Sequence, residues 1–184
     1  MHSKAKFSFF LVVLSALLTL TSAAFGLERG ANGWYQTGSG VRTKSIAFIN
    51  VKVYAISHEM KELPTANTKQ AVIDADVDKR FTWQTLRDLP CEKIQAAMRD
   101  AFAMNGYGDQ AKIGRYLGAC NKAELPEKTG LSISYNSTTK KTTIWIAGAG
   151  SATIDGVDFM KAVWSCWFGK IDQPALGSAL ISRL

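Results

Sequence analysis

The chain has 184 residues, 47% hydrophobic and 20% charged, with a formal net charge of +7. That is enough for one domain with a real hydrophobic core and too little for two. Its Lys and Arg residues are scattered among acids without a stripe or run, which argues against a nucleic-acid binder and leaves a mild positive field suited to an anionic ligand.

The amino terminus reads as a secretory signal. Lys4 and Lys6 make a positive start, Phe7 to Leu20 carries no charge, and the small residues Ser22, Ala23 and Ala24 follow. The apolar core is too short to span a bilayer comfortably. Cleavage after Ala24 and cleavage after Gly26 both satisfy the small-x-small rule. Residues 1–26 are therefore assigned to the signal and 27–184 to a single domain, expected to be periplasmic or secreted. Loss of Lys4 and Lys6 lowers the formal charge from +7 to about +5.

A glycine-spotted lead-in, Gly33 to Gly40, carries Trp34 and Tyr35. Ser45–Ile56 is rich in β-branched and aromatic residues and reads as one long strand, or two joined by a bend near Asn50. Lys61 to Lys69, with Pro64, reads as a loop, and Phe81 and Trp83 mark a short strand. Asp74, Asp76 and Asp78 fall in a polar segment, where a solvated face or loop is the ordinary reading.

Helices follow. From Cys91 to Met104, Ile94, Ala97, Met98, Ala101 and Met104 recur at helical spacing. Asn105-Gly106 ends that helix, and a second runs from about Gln110 to Gly118. Leu131–Asn136 and Thr142–Ala147 alternate and form a hairpin about the turn at Ser137–Lys141. Gly148, Gly150 and Gly156 punctuate a further loop or strand edge. Phe159 to Phe168 is an amphipathic helix stopped by Gly169, and Pro174 to Leu184 is a last short one. Strands, then helices, a hairpin and more helices predict an α+β fold, with an antiparallel sheet and helices packed mainly on one face.

Three cysteines follow the signal. Cys91 opens one helix and Cys120 closes the next, so in an antiparallel helix pair they lie side by side, and Cys91–Cys120 is the expected disulfide. Cys166, between Trp164 and Trp167, reads as a buried thiol. No G-x-S-x-G, P-loop, CxxC or HExxH is present.

What remains is a small constellation on the first long strand. Tyr54, Ile56 and His58 share one face if the alternation holds. Arg42 follows the glycine-rich lead-in. An arginine fork aimed into an apolar cleft grips a carboxylate through two parallel hydrogen bonds. A nearby tyrosine adds a donor, and a neutral imidazole ligates iron or simply hydrogen-bonds. Each residue also has a plainer reading: a strand-end ion pair for Arg42, core packing for Tyr54 and a strand-end polar group for His58.

Gly38–Ser57 (GSGVRTKSIAFINVKVYAIS) resembles the opening signature of chalcone isomerase-like proteins, including the twelve-residue step from a cleft arginine to a cleft hydroxyl residue, here Arg42 to Tyr54. Val163–Leu184 looks like the family's penultimate helix, its glycine-lysine stop and its final helix. The resemblance implies an open-faced β-sandwich with a ligand cleft between sheet and helices. It does not imply the isomerase reaction. Pro90 stands near the expected tyrosine, Ala97 at the expected asparagine, and Phe81–Asp88 has no lysine. An oxyanion site lacking one donor loses about 2.7–4 kcal/mol of transition-state stabilisation.

Non-enzymatic relatives in this fold family bind fatty acids through the arginine and a tyrosine, and some exported bacterial members bind b-type haem. The sequence-level reading is a non-catalytic binding protein holding haem b non-covalently, with His58 as axial ligand to the iron. Arg42 and Tyr54 would be polar anchors, with Ala97, Met98 and Ala101 on the facing helix leaving the slot. The alternative is a fatty-acid or carboxylate-lipid carrier in which Arg42 and Tyr54 hold the head group and His58 is incidental. A third reading is a structural protein whose cleft is closed by side chains.

Overall fold

The computed structural model describes residues 27–184, so the signal assigned to residues 1–26 lies outside the described part. A six-stranded antiparallel sheet forms the frame. Its strands are β1 (Tyr35–Ile46), β2 (Ile49–Met60), β3 (Lys79–Thr85), β6 (Gly130–Asn136), β7 (Lys141–Ile146) and β8 (Gly150–Asp155), adjacent in that order. A small pair, β4 (Leu89–Pro90) with β5 (Glu124–Leu125), brackets two helices, α2 (Cys91–Met104) and α3 (Gln110–Leu117).

Period-two alternation decides which face is covered. Ile56, His58 and Met60 of β2, Phe81 and Trp83 of β3, Leu131, Ile133 and Tyr135 of β6, and Ile144 and Ile146 of β7 are buried on one side. Thr82, Gln84 and Trp145 are exposed. Helix α4 (Val157–Phe168) lies on the covered side and buries Phe159, Met160, Ala162, Val163, Trp164, Cys166, Trp167 and Phe168. Burial of each large apolar side chain of this kind contributes about 1.5–3 kcal/mol, so α4 is the main apolar mass of the core. The result is the expected α+β arrangement, an antiparallel sheet with one helix-covered face.

Three elements differ from the sequence reading. The bend expected near Asn50 is a tight turn at Ala47 and Phe48, whose φ angles are 46° and 68°. Hairpin turns of that hand ordinarily carry Asn or Gly, which this sequence lacks there. The lead-in Gly33–Gly40 is largely strand, so β1 and β2 pair along their lengths, with a bulge between Arg42 and Thr43. The polar stretch after Pro64 also hides a short helix, α1 (Lys69–Asp74), capped by Thr68 accepting from the Ala71 amide at 3.1 Å. At its other end the buried Lys79 donates to the Val72 and Ile73 carbonyls at 2.7 and 3.1 Å. Asp74 and Asp76 make surface ion pairs with Lys161 and Lys140.

Cys91 and Cys120 are joined in a disulfide with Cα atoms 5.5 Å apart, and Cys166 is a free, buried thiol.

Candidate ligand site

Arg42 on β1 lies directly opposite Tyr54 on β2. The Arg42 guanidinium, 18% exposed, reaches Asp172 in the loop after α4, with Nη2 at 2.7 and 2.8 Å from the two carboxylate oxygens. Nη1 donates to Gln173 Oε1 at 3.3 Å. The cation holds the Asp172 carboxyl below its usual range, chiefly through that hydrogen bond. Arg42 is thus already seated against a carboxylate, one that is 64% exposed and belongs to a loop.

Tyr54 supplies the neighbouring hydroxyl. Its ring stacks on Trp83 with centroids 4.4 Å apart, and its oxygen accepts from Trp167 Nε1 at 3.1 Å. Burial pushes the Tyr54 hydroxyl up to about 12, although the Trp167 hydrogen bond and the Arg42 charge pull the other way. Tyr54 therefore stays protonated, its oxygen engaged as an acceptor and its proton without an acceptor among the described residues.

Trp83 links this pair to a narrow slot between the sheet and helices α2 and α3. Ile94, Met98, Tyr116, Leu131 and Ile146 are among its walls. Its non-protein space is about 310 Å³ including the open mouth, and the enclosed part has room for about one water molecule. Trp83 and Tyr116 both border the slot, and the Trp83 Nε1 and Tyr116 hydroxyl are buried without a partner among the described residues. Burial also holds the Tyr116 hydroxyl well above its ordinary value, so both groups present protons. Two unpartnered buried donors on residues bordering an apolar slot are a place where an oxygen acceptor, from a ligand or a bridging water, would be favoured.

The other residues expected at the site are placed as follows. Met98 lines the slot. Ala101 is partly buried and packs on the core, and Ala97 is exposed and outside the slot, about 100° around the helix from Met98.

His58 shares the Tyr54 face of β2, as the alternation predicts, but it is not open to the cleft. Its ring is fully buried against Phe81 and Phe168, with centroids 4.8 and 5.1 Å away. Trp164 Nε1, which can only donate, meets Nε2 at 2.9 Å. That leaves the proton on Nδ1, which donates to Thr37 Oγ1 at 2.7 Å, and Thr37 in turn donates to the Leu180 carbonyl at 2.8 Å. Burial, with a smaller effect of the Lys79 charge, drops the imidazole well below its usual 6.5. Both ring nitrogens of the expected axial ligand are engaged within the core, and iron would have to break the Trp164 bond to bind there.

Sequence reasoning missed Trp83, Tyr116 and Asp172. The first two are brought together only by packing of helices on the sheet, and no local spacing signals it. Asp172 was legible only as part of the family-like carboxyl end.

Residues 35–177 match a family described as chalcone isomerase-like. No curated protein matches the sequence. Among solved structures, the crystal structure of a fatty-acid binding protein from Arabidopsis thaliana is similar, with a TM-score of 0.66 at 13% identity. The likeness covers 85% of this chain and 90% of that one. At that identity it establishes the shared fold.

Proposed function

Because the chain belongs to the chalcone isomerase-like family, we propose that it is a non-catalytic binding protein for a fatty acid or a similar carboxylate-bearing lipid, exported if residues 1–26 act as the signal they resemble. The observation that carries this reading is the Arg42–Asp172 contact beside Tyr54. A half-buried guanidinium that already holds a carboxylate, next to a protonated hydroxyl with a free proton, is complementary to a carboxylate head group. The ligand carboxylate takes the place of Asp172. The acyl chain follows Trp83 toward the slot, which must widen between the sheet and α2 to admit it, with Met98, whose unbranched side chain adapts readily, on its wall. The fold of the Arabidopsis fatty-acid binding protein supports the same reading.

No step of catalysis is assigned to these residues. Tyr54 is held in its neutral form, and Pro90 stands near the place where a chalcone isomerase would carry a tyrosine and Ala97 where it would carry an asparagine. His58 lends the haem reading no support, since its nitrogens serve Trp164 and Thr37.

The test is calorimetric titration of the purified protein with palmitate, beside Arg42→Gln. Saturable one-to-one binding that weakens at least tenfold in Arg42→Gln is the expected result; a tenfold loss corresponds to about 1.4 kcal/mol. Equal binding by both proteins would remove Arg42 from the site, and no binding by either would overturn the reading. Hemin titrated in parallel is expected to give no Soret shift that depends on His58.

A further inference from the structure

The tip of the β1–β2 hairpin is the most exposed apolar feature among the described residues. Phe48 is fully exposed and Ile49 is 66% exposed. β2 pairs with β3 over Tyr54–Met60 and Val53 accepts from the Leu86 N–H, so the strand end from Ile49 to Lys52 projects past the body of the sheet. Ala47 and Phe48 both adopt left-handed backbone conformations. Non-glycine residues are rarely held so, at a cost of order 1–3 kcal/mol each, and such outliers cluster at binding segments.

Charge singles out the same arm. From Gly30 to His58 the sequence contains Arg42, Lys44 and Lys52 and no Asp or Glu. Lys44 and Lys52 are exposed, one on each strand. Each stands four residues from Phe48, roughly 13 Å behind it at about 3.3 Å per residue. An apolar tip with flexible cations set back on both sides matches a bilayer surface. Apolar side chains enter to about 5–10 Å at the boundary of head groups and acyl chains, and lysines set back from them reach anionic lipid phosphates.

We propose that the β1–β2 hairpin docks on an anionic lipid bilayer, with Phe48 and Ile49 inserted and Lys44 and Lys52 on the head groups. A protein partner fits less well. A stable interface buries about 800 Å² on each side, whereas two apolar residues at a narrow tip suffice for reversible interfacial contact. The inference rests on the hairpin alone and does not require a lipid in the cleft.

The experiment is co-sedimentation of the protein with vesicles of phosphatidylcholine alone and with one-third phosphatidylglycerol. Wild type is compared with Phe48→Ser/Ile49→Ser and with Lys44→Glu/Lys52→Glu. Expected are salt-sensitive binding to the anionic vesicles, little to the neutral ones, and at least a tenfold loss in each double variant. Thermal unfolding should be unchanged, because all four side chains are exposed. Absence of binding by wild type overturns the proposal, as does undiminished binding by Phe48→Ser/Ile49→Ser. Equal binding to neutral vesicles overturns the role given to the lysines. Palmitate titration is a separate readout, so failure here leaves the ligand reading standing, and the reverse also holds.

Discussion

Trp164 Nε1 donates to His58 Nε2 across 2.9 Å, and that single bond fixes the tautomer of the histidine. It begins a one-way run of hydrogen bonds through His58 Nδ1 and Thr37 to the Leu180 carbonyl, tying α4, β2, β1 and the carboxyl-terminal segment together. Each buried polar group in the run has its partner, so the cost of burying an imidazole is offset and the histidine behaves as a core pin.

Replacement of that pin is expected to cost stability and not ligand binding. His58→Leu leaves the Trp164 indole without an acceptor, and an orphaned buried donor costs about 1–3 kcal/mol. Urea denaturation should show a loss of that size while palmitate affinity stays within twofold. A large affinity loss with a small stability loss would return His58 to the cleft.

The same burial predicts how stability follows acidity. His58 is depressed below 6.5 in the folded protein, so between its folded value and 6.5 the unfolded chain binds a proton that the native one does not. Stability therefore rises with pH across that window and is lost on acidification below 6.5, by up to about 1.4 kcal/mol per pH unit. Denaturation midpoints at pH 5, 6 and 7 should show the slope in wild type and a flatter line in His58→Leu.

Lys79 gives a second window with the same sign. Burial lowers it from 10.5 to about 7, although Asp76 and Asp74 pull it upward. Between 7 and 10.5 the unfolded lysine is protonated and the native one largely is not, so its contribution to stability rises with pH. The stability difference between wild type and Lys79→Met should change in wild type's favour from pH 7 to pH 9. A constant difference would mean that the lysine stays charged against the Val72 and Ile73 carbonyls.

Asp172 competes for Arg42 with any incoming carboxylate. Exposed ion pairs are worth about 0.2–1 kcal/mol, so Asp172→Asn should tighten palmitate binding by a modest factor, roughly two- to fivefold. Weaker binding in this variant would show that the loop supports the site and does not compete for it.

The Cys91–Cys120 link closes a sequence separation of 29 residues and joins the start of α2 to the segment just after α3, on the two walls of the slot. Its reduction should cost about 3–4 kcal/mol by loop-closure entropy. Burial pushes the Cys166 thiol up and shields it, so a thiol reagent should label the native protein only on unfolding.

Local patterns were legible where one element determines them. The spacing of Ile94, Met98 and Ala101 gave α2 its limits, and alternation put Tyr54 and His58 on the same face of β2. The fate of those two side chains was not legible, because it depends on α4: Trp167 meets Tyr54 and leaves its proton free, whereas Trp164 meets His58 and engages it. The turn at Ala47–Phe48 escaped because its residues contradict its backbone conformation. Ala97 and Met98 both fall in the helical spacing, yet a step of 100° puts one in solvent and the other on the slot.

The side-chain amide of Gln173 receives the Thr43 N–H at 3.0 Å and donates to the Val41 carbonyl at 3.1 Å. β1 is the outermost strand on its side of the sheet, and an open strand edge invites pairing with a second chain. One glutamine thus answers the edge as a neighbouring strand would, in the same loop that meets Arg42. The Gln173 oxygen that takes the Thr43 N–H also accepts from Arg42 Nη1 at 3.3 Å, so the cover of the edge and the candidate anchor share one acceptor.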